Sequence, residues 1–85
     1  MTKEQLEKIS EKLCGVEIDK YEFQDFIVGE FETENRVLVE KSGSNYSNFI
    51  AYDETDDKYI ELEVQINDEE ETIKIVEAYI KNFRS

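Results

Sequence analysis

The cleanest hydrophobic pattern in the chain is a strict alternation of apolar and polar residues from Tyr59 to Ile66. Successive side chains of a β-strand point to opposite faces of a sheet, so this alternation predicts an amphipathic strand. The residues expected to face the core are Ile60, Leu62, Val64 and Ile66. Those expected on the opposite face of the sheet are Tyr59, Glu61, Glu63 and Gln65.

Helical spacing marks the start of the chain. Thr2 followed by Gln5 matches a capping box, which is typical of a helix N-terminus. The apolar residues after it recur at helical intervals and are followed by Gly15, a residue that commonly ends helices. The sequence therefore predicts a helix over residues 2–14, with its buried face formed by Leu6, Ile9 and Leu13.

Helical spacing also occurs at the end of the chain. Asn67 or Asp68 is a suitable N-cap, and three glutamates follow it where the helix dipole favours negative charge. Lys81 and Arg84 stand where the dipole favours positive charge. This pattern predicts a C-terminal helix whose apolar face is formed by Ile73, Val76, Ile80 and Phe83.

Three further strands are predicted between these helices. The first begins at Phe26, with Ile27 and Phe31 on one face and a bulge at Gly29; its other face carries Phe26, Val28, Glu30 and Glu32. The second runs from Arg36 to Lys41 and the third from Tyr46 to Asp53. The turns expected between the strands are Glu34-Asn35, Ser42 to Asn45, and Asp53 to Asp57. Residues 16–24 fit either a short strand or an irregular connection.

These elements predict an α+β fold of one domain over residues 1–85. Its order is αββββα, with an antiparallel four-stranded meander and the N- and C-terminal helices on one face. A chain of 85 residues with 39% hydrophobic residues, three glycines and no proline is typical of a packed single domain. Cys14, the one cysteine, excludes an internal disulfide and is expected beside the core. The sequence has no signal peptide or apolar span, so a cytoplasmic location is expected.

The chain is strongly acidic, with 22 Asp and Glu against 10 Lys and Arg and a net charge of -12. A field of this sign repels nucleic acid and anionic membranes, which argues against direct binding to either. A basic protein surface is the electrostatic complement of such a chain. The alternative interpretation is that the acidity serves only solubility.

The charge is concentrated in two segments. Residues 16–34 carry seven acids and one base, and residues 53–71 carry ten acids and one base. Within the second segment, Glu61 and Glu63 are two residues apart on one strand face, about 6.7 Å from each other, so they could imitate backbone phosphates. Tyr59 and Tyr52 would add aromatic contacts of the kind found at interface hot spots. Asp68 to Glu71 are explained by the helix start.

The sequence argues against catalysis and against cofactors. The chain contains no histidine, the usual general base near neutral pH, and none of its three glycines opens a phosphate-binding loop. Asp53 to Asp57 resemble the beginning of a calcium loop, but Lys58 stands where that loop requires glycine and Val64 where it requires the closing ligand. We therefore expect no enzyme activity, no cofactor and no metal site.

The stretch from Ala51 to Asp57, between two predicted strands, resembles a hairpin of the uracil-DNA glycosylase inhibitor family of certain bacteriophages. The resemblance implies a small acidic protein that imitates DNA and occupies the DNA-binding groove of its target enzyme. In that family the inhibitory carboxylates lie around an edge strand and the second helix, and the chain ends in strands. This sequence predicts neither that helix nor a C-terminal strand, so no residue roles follow from the resemblance.

Two functional hypotheses follow. In the first, the chain is an inhibitor that docks on a basic, nucleic-acid-binding surface of a partner protein, as in phage counter-defence or toxin neutralisation. Its expected contacts are Glu30, Glu32, Tyr59, Glu61 and Glu63, with Asp53, Asp56 and Asp57 at the rim. In the second, the chain is a structural subunit or homodimer that associates through an edge strand or an exposed sheet face containing Phe26, Val28 and Leu38.

Overall fold

Two helices and five strands form the protein in a computed structural model, which describes residues 2–31, 36–41, 48–55 and 57–83. In chain order the elements are α1 (Lys3–Leu13), β1 (Glu17–Asp19), α2 (Phe23–Phe31), β2 (Val37–Lys41), β3 (Asn48–Asp53), β4 (Lys58–Asn67) and β5 (Thr72–Asn82). The predicted α+β class, with two helices and an antiparallel sheet, is confirmed. The predicted number of strands and the predicted position of the second helix are wrong.

The five strands form one antiparallel sheet in the order β1-β5-β4-β3-β2. Consecutive strands from β2 to β5 pair as a meander, and β1 then pairs with the far side of β5. The predicted meander contained β2, β3 and β4, but it began with a strand at Phe26 and did not include β5. The predicted strands over residues 36–41 and 59–66 are confirmed, and the third predicted strand is confirmed from Asn48 to Asp53. The predicted turns at Glu34-Asn35 and Ser42 to Asn45 lie outside the described residues.

Helix α1 has the ends and the buried face that the sequence predicts. The Thr2 N–H donates to Gln5 Oε1 at 2.8 Å, and the Gln5 N–H donates to Thr2 Oγ1 at 3.2 Å, which completes the capping box. Gly15 follows the C-cap residue with φ at +84°, a conformation that glycine adopts without steric cost. The residues that α1 buries are Leu6, Ile9 and Leu13.

The prediction of a strand from Phe26 is wrong, because Phe23–Phe31 form helix α2. The helix buries Phe23, Ile27 and Phe31, which follow one another at intervals of four residues. Three consecutive apolar residues, Phe26 to Val28, hide this period, and Gly29 lies inside the helix rather than at a bulge. Phe26 packs against the core and Val28 is 38% exposed, so neither belongs to the apolar sheet face proposed with Leu38.

The prediction of a C-terminal helix is also wrong, because Thr72–Asn82 form strand β5, which pairs with β4 along its length. The pairing shifts between Glu63 and Val64, where Glu63 pairs with Glu77 but Val64 pairs with Ile75. Val76 is therefore an extra residue in a β-bulge, and its side chain is 43% exposed. The bulge interrupts the alternation of buried residues, which are Ile73 and Ile75 before it and Ala78 after it.

One core lies between the two helices and one face of the sheet. Ile60, Leu62 and Val64 are buried there as predicted, whereas Ile66 near the end of β4 is 38% exposed. Phe23 of α2 packs on Phe49 of β3, with ring centroids 5.0 Å apart. The opposite face of the sheet, here called the outer face, is free of helices in the described part of the chain. Neither described helix has the length and apolar character needed to cross a membrane.

Candidate partner-binding surface

The pairing of β1 with β5 brings the two acidic segments of the sequence together. Glu17 pairs with Lys74 and Asp19 with Thr72, so β1 lies beside the end of β5 that leaves the β4–β5 turn. The Lys20 N–H also donates to the Glu71 carbonyl at 2.9 Å. We call the seven exposed carboxylates at this junction the acidic end; they are Glu17, Asp19, Glu22, Asp68, Glu69, Glu70 and Glu71.

The β4–β5 turn contributes four consecutive acids to the acidic end. Asn67 Oδ1 accepts a hydrogen bond from the Glu70 N–H at 3.1 Å, so the predicted capping residue stabilises a turn instead of a helix. Glu71 closes the turn with φ at +58°, a left-handed conformation that residues with a Cβ rarely adopt. The turn therefore keeps a glutamate where glycine would be less strained.

The charge of the acidic end is not neutralised by any lysine or arginine in the part of the chain that the structure describes. In the described ranges, none of its carboxylates lies within 4.0 Å of a lysine or arginine nitrogen. The two nearby lysines are Lys20, whose Nζ lies 5.2 Å from the ring centroid of Tyr21, and Lys74, which is exposed. The acidic end thus carries a local excess of negative charge that is open to solvent.

The outer face carries the carboxylates that the sequence analysis favoured. Glu61 and Glu63 lie there on β4, with Tyr59 and Gln65, as the alternation predicts. Glu61 Oε2 is 2.6 Å from Lys81 Nζ on β5, so its charge is compensated within the chain. Glu63 Oε2 accepts a hydrogen bond from the Tyr79 hydroxyl at 3.3 Å, and Glu63 is exposed.

An aromatic cluster lies at the other end of the outer face. The Phe83 ring centroid is 5.2 Å from that of Tyr52 and 4.6 Å from that of Tyr59. Tyr52 pairs with Tyr59 across β3 and β4. Phe83, which was assigned to the buried face of a helix, is instead 50% exposed beside these tyrosines.

The remaining predicted contact residues are dispersed. Glu30 lies on α2 with its Oε2 3.9 Å from Lys12 Nζ, and Asp57 is exposed before β4. Asp53 is only 1% exposed, and its carboxylate accepts hydrogen bonds from the Thr55 N–H and hydroxyl at 2.9 Å and 2.8 Å. Burial keeps the Asp53 carboxylate from a rim contact in this conformation. Glu32 and Asp56 lie outside the described residues.

Cys14 is exposed rather than packed beside the core, which corrects the prediction from sequence. Its Sγ donates a hydrogen bond to Glu77 Oε1 at 3.3 Å. Partial burial, and then this hydrogen bond to a carboxylate, raise the pKa of the Cys14 thiol. A raised pKa favours the protonated thiol, which is the less nucleophilic form of cysteine.

The acidic end is the surface that sequence reasoning missed. Asp68 to Glu71 were explained by a helix dipole, and Glu17 and Asp19 fell in a segment that was left unassigned. The signal that could have found them is the run of turn-forming and acidic residues directly after the clean strand. Across the described ranges, no group of three or more acidic or cysteine side chains has a geometry suited to a metal ion.

Comparison of the chain with protein-family models, with curated proteins and with solved structures gave no significant match.

Proposed function

We propose that this protein is a small acidic inhibitor that docks on a basic, nucleic-acid-binding surface of a partner protein. The observation that carries the proposal is the convergence of two acidic segments at the acidic end through the pairing of β1 with β5. The partner is a protein, because the same charge repels nucleic acid and anionic membranes.

The spacing of these carboxylates suits imitation of a phosphate backbone. Glu17 and Asp19 are two residues apart on β1, about 6.7 Å from each other, and neighbouring strands lie about 4.8 Å apart. Glu63 continues the line of carboxylates along the outer face toward the β4–β5 turn. A basic groove that evolved to bind phosphates can satisfy such a row with the same lysine and arginine side chains.

The lack of internal cations supports a role in binding over a role in stability alone. The Glu61 and Glu30 carboxylates have lysine partners within the chain, whereas the acidic end has none in the part of the chain that the structure describes. Uncompensated like charges repel one another and cost folding free energy. A basic partner would relieve that repulsion, which makes the acidic end the favoured contact and the outer-face carboxylates its extension.

The topology also supports inhibition by charge mimicry. In the glycosylase inhibitor family that residues 51–57 resemble, the inhibitory carboxylates lie around an edge strand and the second helix. In this chain β1 is an edge strand, α2 follows it directly, and the last element described is a strand. The second helix and the C-terminal strand, which were not predicted from the sequence, are therefore present in the structure. Glu17 and Asp19 lie on the edge strand, and Asp25 lies on the helix that follows it.

The test uses a bacterial uracil-DNA glycosylase as the first probe, with cleavage of uracil-containing DNA as the readout. Three double variants each change the net charge by the same amount: Glu69→Lys with Glu70→Lys, Glu61→Lys with Glu63→Lys, and the control Glu4→Lys with Glu7→Lys. The control residues are exposed on the first two turns of α1. We expect the wild-type protein to inhibit, and salt to weaken its binding.

The Glu69/Glu70 pair is expected to weaken binding most, by about tenfold or more, and the Glu61/Glu63 pair less, because Lys81 already compensates Glu61. The control pair should have little effect. Equal losses in all three variants would show that net charge, and not this surface, governs binding.

A pull-down from bacterial lysate at low salt tests the wider class of partners. If the glycosylase is not inhibited, the proposal still requires that the wild-type protein and the control variant capture nucleic-acid-binding proteins from the lysate. The Glu69/Glu70 variant should not capture them. Equal capture by the control variant and the Glu69/Glu70 variant, or no capture by any of the proteins, contradicts the proposed function.

A further inference from the structure

Strand β5 is much longer than the strand on its far side, and among the described residues this difference leaves an open edge. β5 has eleven residues and pairs with β4 along its length, whereas β1 covers only Thr72 to Lys74. Hydrogen bonds between Ile75 and both Gly15 and Val16 extend this cover by one residue. Beyond the bulge, the hydrogen bonds from α1 to this edge stop at Ala78, whose carbonyl accepts the Ser10 hydroxyl at 2.9 Å.

The direction of the backbone groups at this edge follows from two hydrogen bonds. The Ala78 carbonyl points away from β4, toward Ser10, and the Phe83 N–H points toward β4, where it donates to the Asp57 carbonyl at 2.9 Å. Backbone groups alternate between the two sides along a strand. Ile80 and Asn82 therefore direct their N–H and C=O groups outward, to the side of β5 opposite β4.

This edge has little of the protection that usually prevents strands from pairing. Natural edge strands are commonly protected by proline, by bulges or by charged side chains, especially lysine. The chain has no proline, and the bulge at Val76 precedes the open segment. Lys81 is the one charged residue between Ala78 and Asn82, and Glu61 compensates its charge at 2.6 Å.

We infer that the open edge of β5 pairs with the same edge of a second copy of this chain. The strands would run antiparallel around a two-fold axis at Ile80, with Ala78 opposite Asn82 of the second copy. On the outer face, Tyr79 of each copy would then lie opposite Lys81 of the other copy. A lysine beside a tyrosine ring is a favourable cation–π arrangement, and Lys81 Nζ already lies 6.0 Å from the Tyr79 ring centroid within the chain.

Self-complementarity favours a second copy over another partner. The segment from Ala78 to Asn82 pairs with itself without bringing like charges together, which would be destabilising across two strands. The Ala78 carbonyl retains a lone pair beside its bond to Ser10, so it can accept the Asn82 N–H of the second copy. Two-fold pairing also repeats each backbone hydrogen bond, as an isologous interface requires.

The strong net charge of the chain does not prevent this contact. The β4–β5 turn lies about ten residues along β5 from Ile80, which corresponds to about 30 Å. Antiparallel pairing sends the two acidic ends in opposite directions from the two-fold axis. Because the Debye length at physiological salt is about 8 Å, the repulsion between the two acidic ends is screened. The dimer would present two acidic ends, and it does not depend on the proposed inhibitory function.

The test measures molecular mass by sedimentation over a concentration range up to about 1 mM, together with amide hydrogen exchange at low and high concentration. We expect the mass to rise from one chain to two, with exchange at Ile80 and Asn82 slowing as the dimer forms. The Tyr79 and Lys81 amides point toward β4, so dimerisation should not change their exchange rates directly, and they serve as the internal control.

Asn82→Pro removes an outward N–H together with the side-chain contact to Lys58, and Asn82→Ala removes that side-chain contact but keeps the N–H. The proline variant should weaken dimerisation by about thirtyfold, the effect of two symmetry-related main-chain hydrogen bonds, and the alanine variant by much less. Circular dichroism checks that both variants fold. A mass of one chain at every concentration overturns the inference, and so does a dimer in which Ile80 exchange does not change.

Discussion

Glu61 Oε2 and Lys81 Nζ lie 2.6 Å apart on neighbouring strands, in the middle of the outer face. The hydrogen bond to Glu61, and then its negative charge, raise the pKa of Lys81. The pair illustrates a difference between two groups of carboxylates in the protein. Those on β4 are partly compensated by β5, whereas those at the acidic end depend on solvent or on a partner.

The first prediction concerns stability in alkaline solution. Burial and then Glu63 raise the pKa of Tyr79, and burial and then Glu40 raise the pKa of Tyr52. A group with a higher pKa in the folded protein keeps its proton longer there than in the unfolded chain. Its stabilising contribution is complete below the unfolded pKa and is lost as the pH rises to the folded pKa. Stability should therefore fall above about pH 10, the ordinary pKa range of tyrosine and lysine.

Urea denaturation at about pH 8 and about pH 11 measures this loss. We expect the midpoint to fall at the higher pH, and to fall less in Tyr79→Phe. The control is Tyr21→Phe, because the Tyr21 side chain is 71% exposed. An equal fall in all three proteins would contradict the assignment of the effect to Tyr79.

The second prediction is that alanine has opposite effects on stability at two glycines. Gly29 lies inside α2, and a Cβ built there meets no atom within 4 Å, so Gly29→Ala should raise the free energy of unfolding by about 1 kcal/mol. Gly15 has φ at +84°, and Gly15→Ala should lower it by about 1 kcal/mol because a Cβ is strained in that conformation. Urea denaturation of the two variants measures both changes. A loss of stability in Gly29→Ala would be inconsistent with helix α2.

Sequence reasoning succeeded where local and periodic signals agreed. The capping box, the helical spacing of Leu6, Ile9 and Leu13, and Gly15 all indicate the same helix, and the structure has it. Strand β4 has one unbroken alternation, and three of its four predicted core residues are buried. Ile66 is the exception: it is 38% exposed and lies one residue before Asn67, where β4 ends at the exposed β4–β5 turn.

The errors arose where a local irregularity shifted the period. In β5 the bulge at Val76 moves the buried positions by one residue, so Ile73, Val76 and Ile80 imitate helical spacing by coincidence. In α2 a run of apolar residues conceals the interval of four between Phe23, Ile27 and Phe31. The structure, by contrast, depends on pairing with β4 and on packing against Phe49, which are long-range contacts that a local pattern does not contain.

These two errors also explain why the acidic end was not predicted. It exists because β1 pairs with β5 over a separation of more than fifty residues. A short strand was only one of two alternatives for residues 16–24, and β5 was predicted as a helix. Once β5 is taken as a helix, Asp68 to Glu71 appear to be a favourable helix start and need no other explanation. The outer-face positions of Tyr59, Glu61 and Glu63, which depend only on the alternation in β4, could be predicted.

The third prediction concerns the buried carboxylate. Asp53 caps the turn between β3 and β4 by accepting two hydrogen bonds from Thr55. Asp53→Ala removes both bonds and leaves the Thr55 N–H without this acceptor, so the free energy of unfolding should fall by about 2 kcal/mol. Thr55→Val removes the hydroxyl donor alone and should cost about half as much. Urea denaturation compares the two variants, and a negligible effect of Asp53→Ala would exclude a structural role.

The fourth prediction tests whether the acidic end trades stability for charge. Glu71 has φ at +58°, where glycine avoids a steric cost of about 1 kcal/mol or more, while the greater freedom of glycine in the unfolded chain offsets part of that gain. Glu71→Gly also removes one of four consecutive like charges, which relieves repulsion. We therefore expect the free energy of unfolding to rise by about 0.5–1 kcal/mol.

Glu70→Gly is the matched control, since it removes the same charge from the same turn at a residue without positive φ. Glu70→Gly should relieve the same repulsion, but glycine loses more conformational entropy on folding than glutamate does. The free energy of unfolding should therefore be unchanged or lower. Urea denaturation separates the backbone effect from the charge effect. If Glu71→Gly is more stable yet binds a basic partner less well, the strained glutamate contributes to binding; if it is no more stable than Glu70→Gly, the turn is not strained.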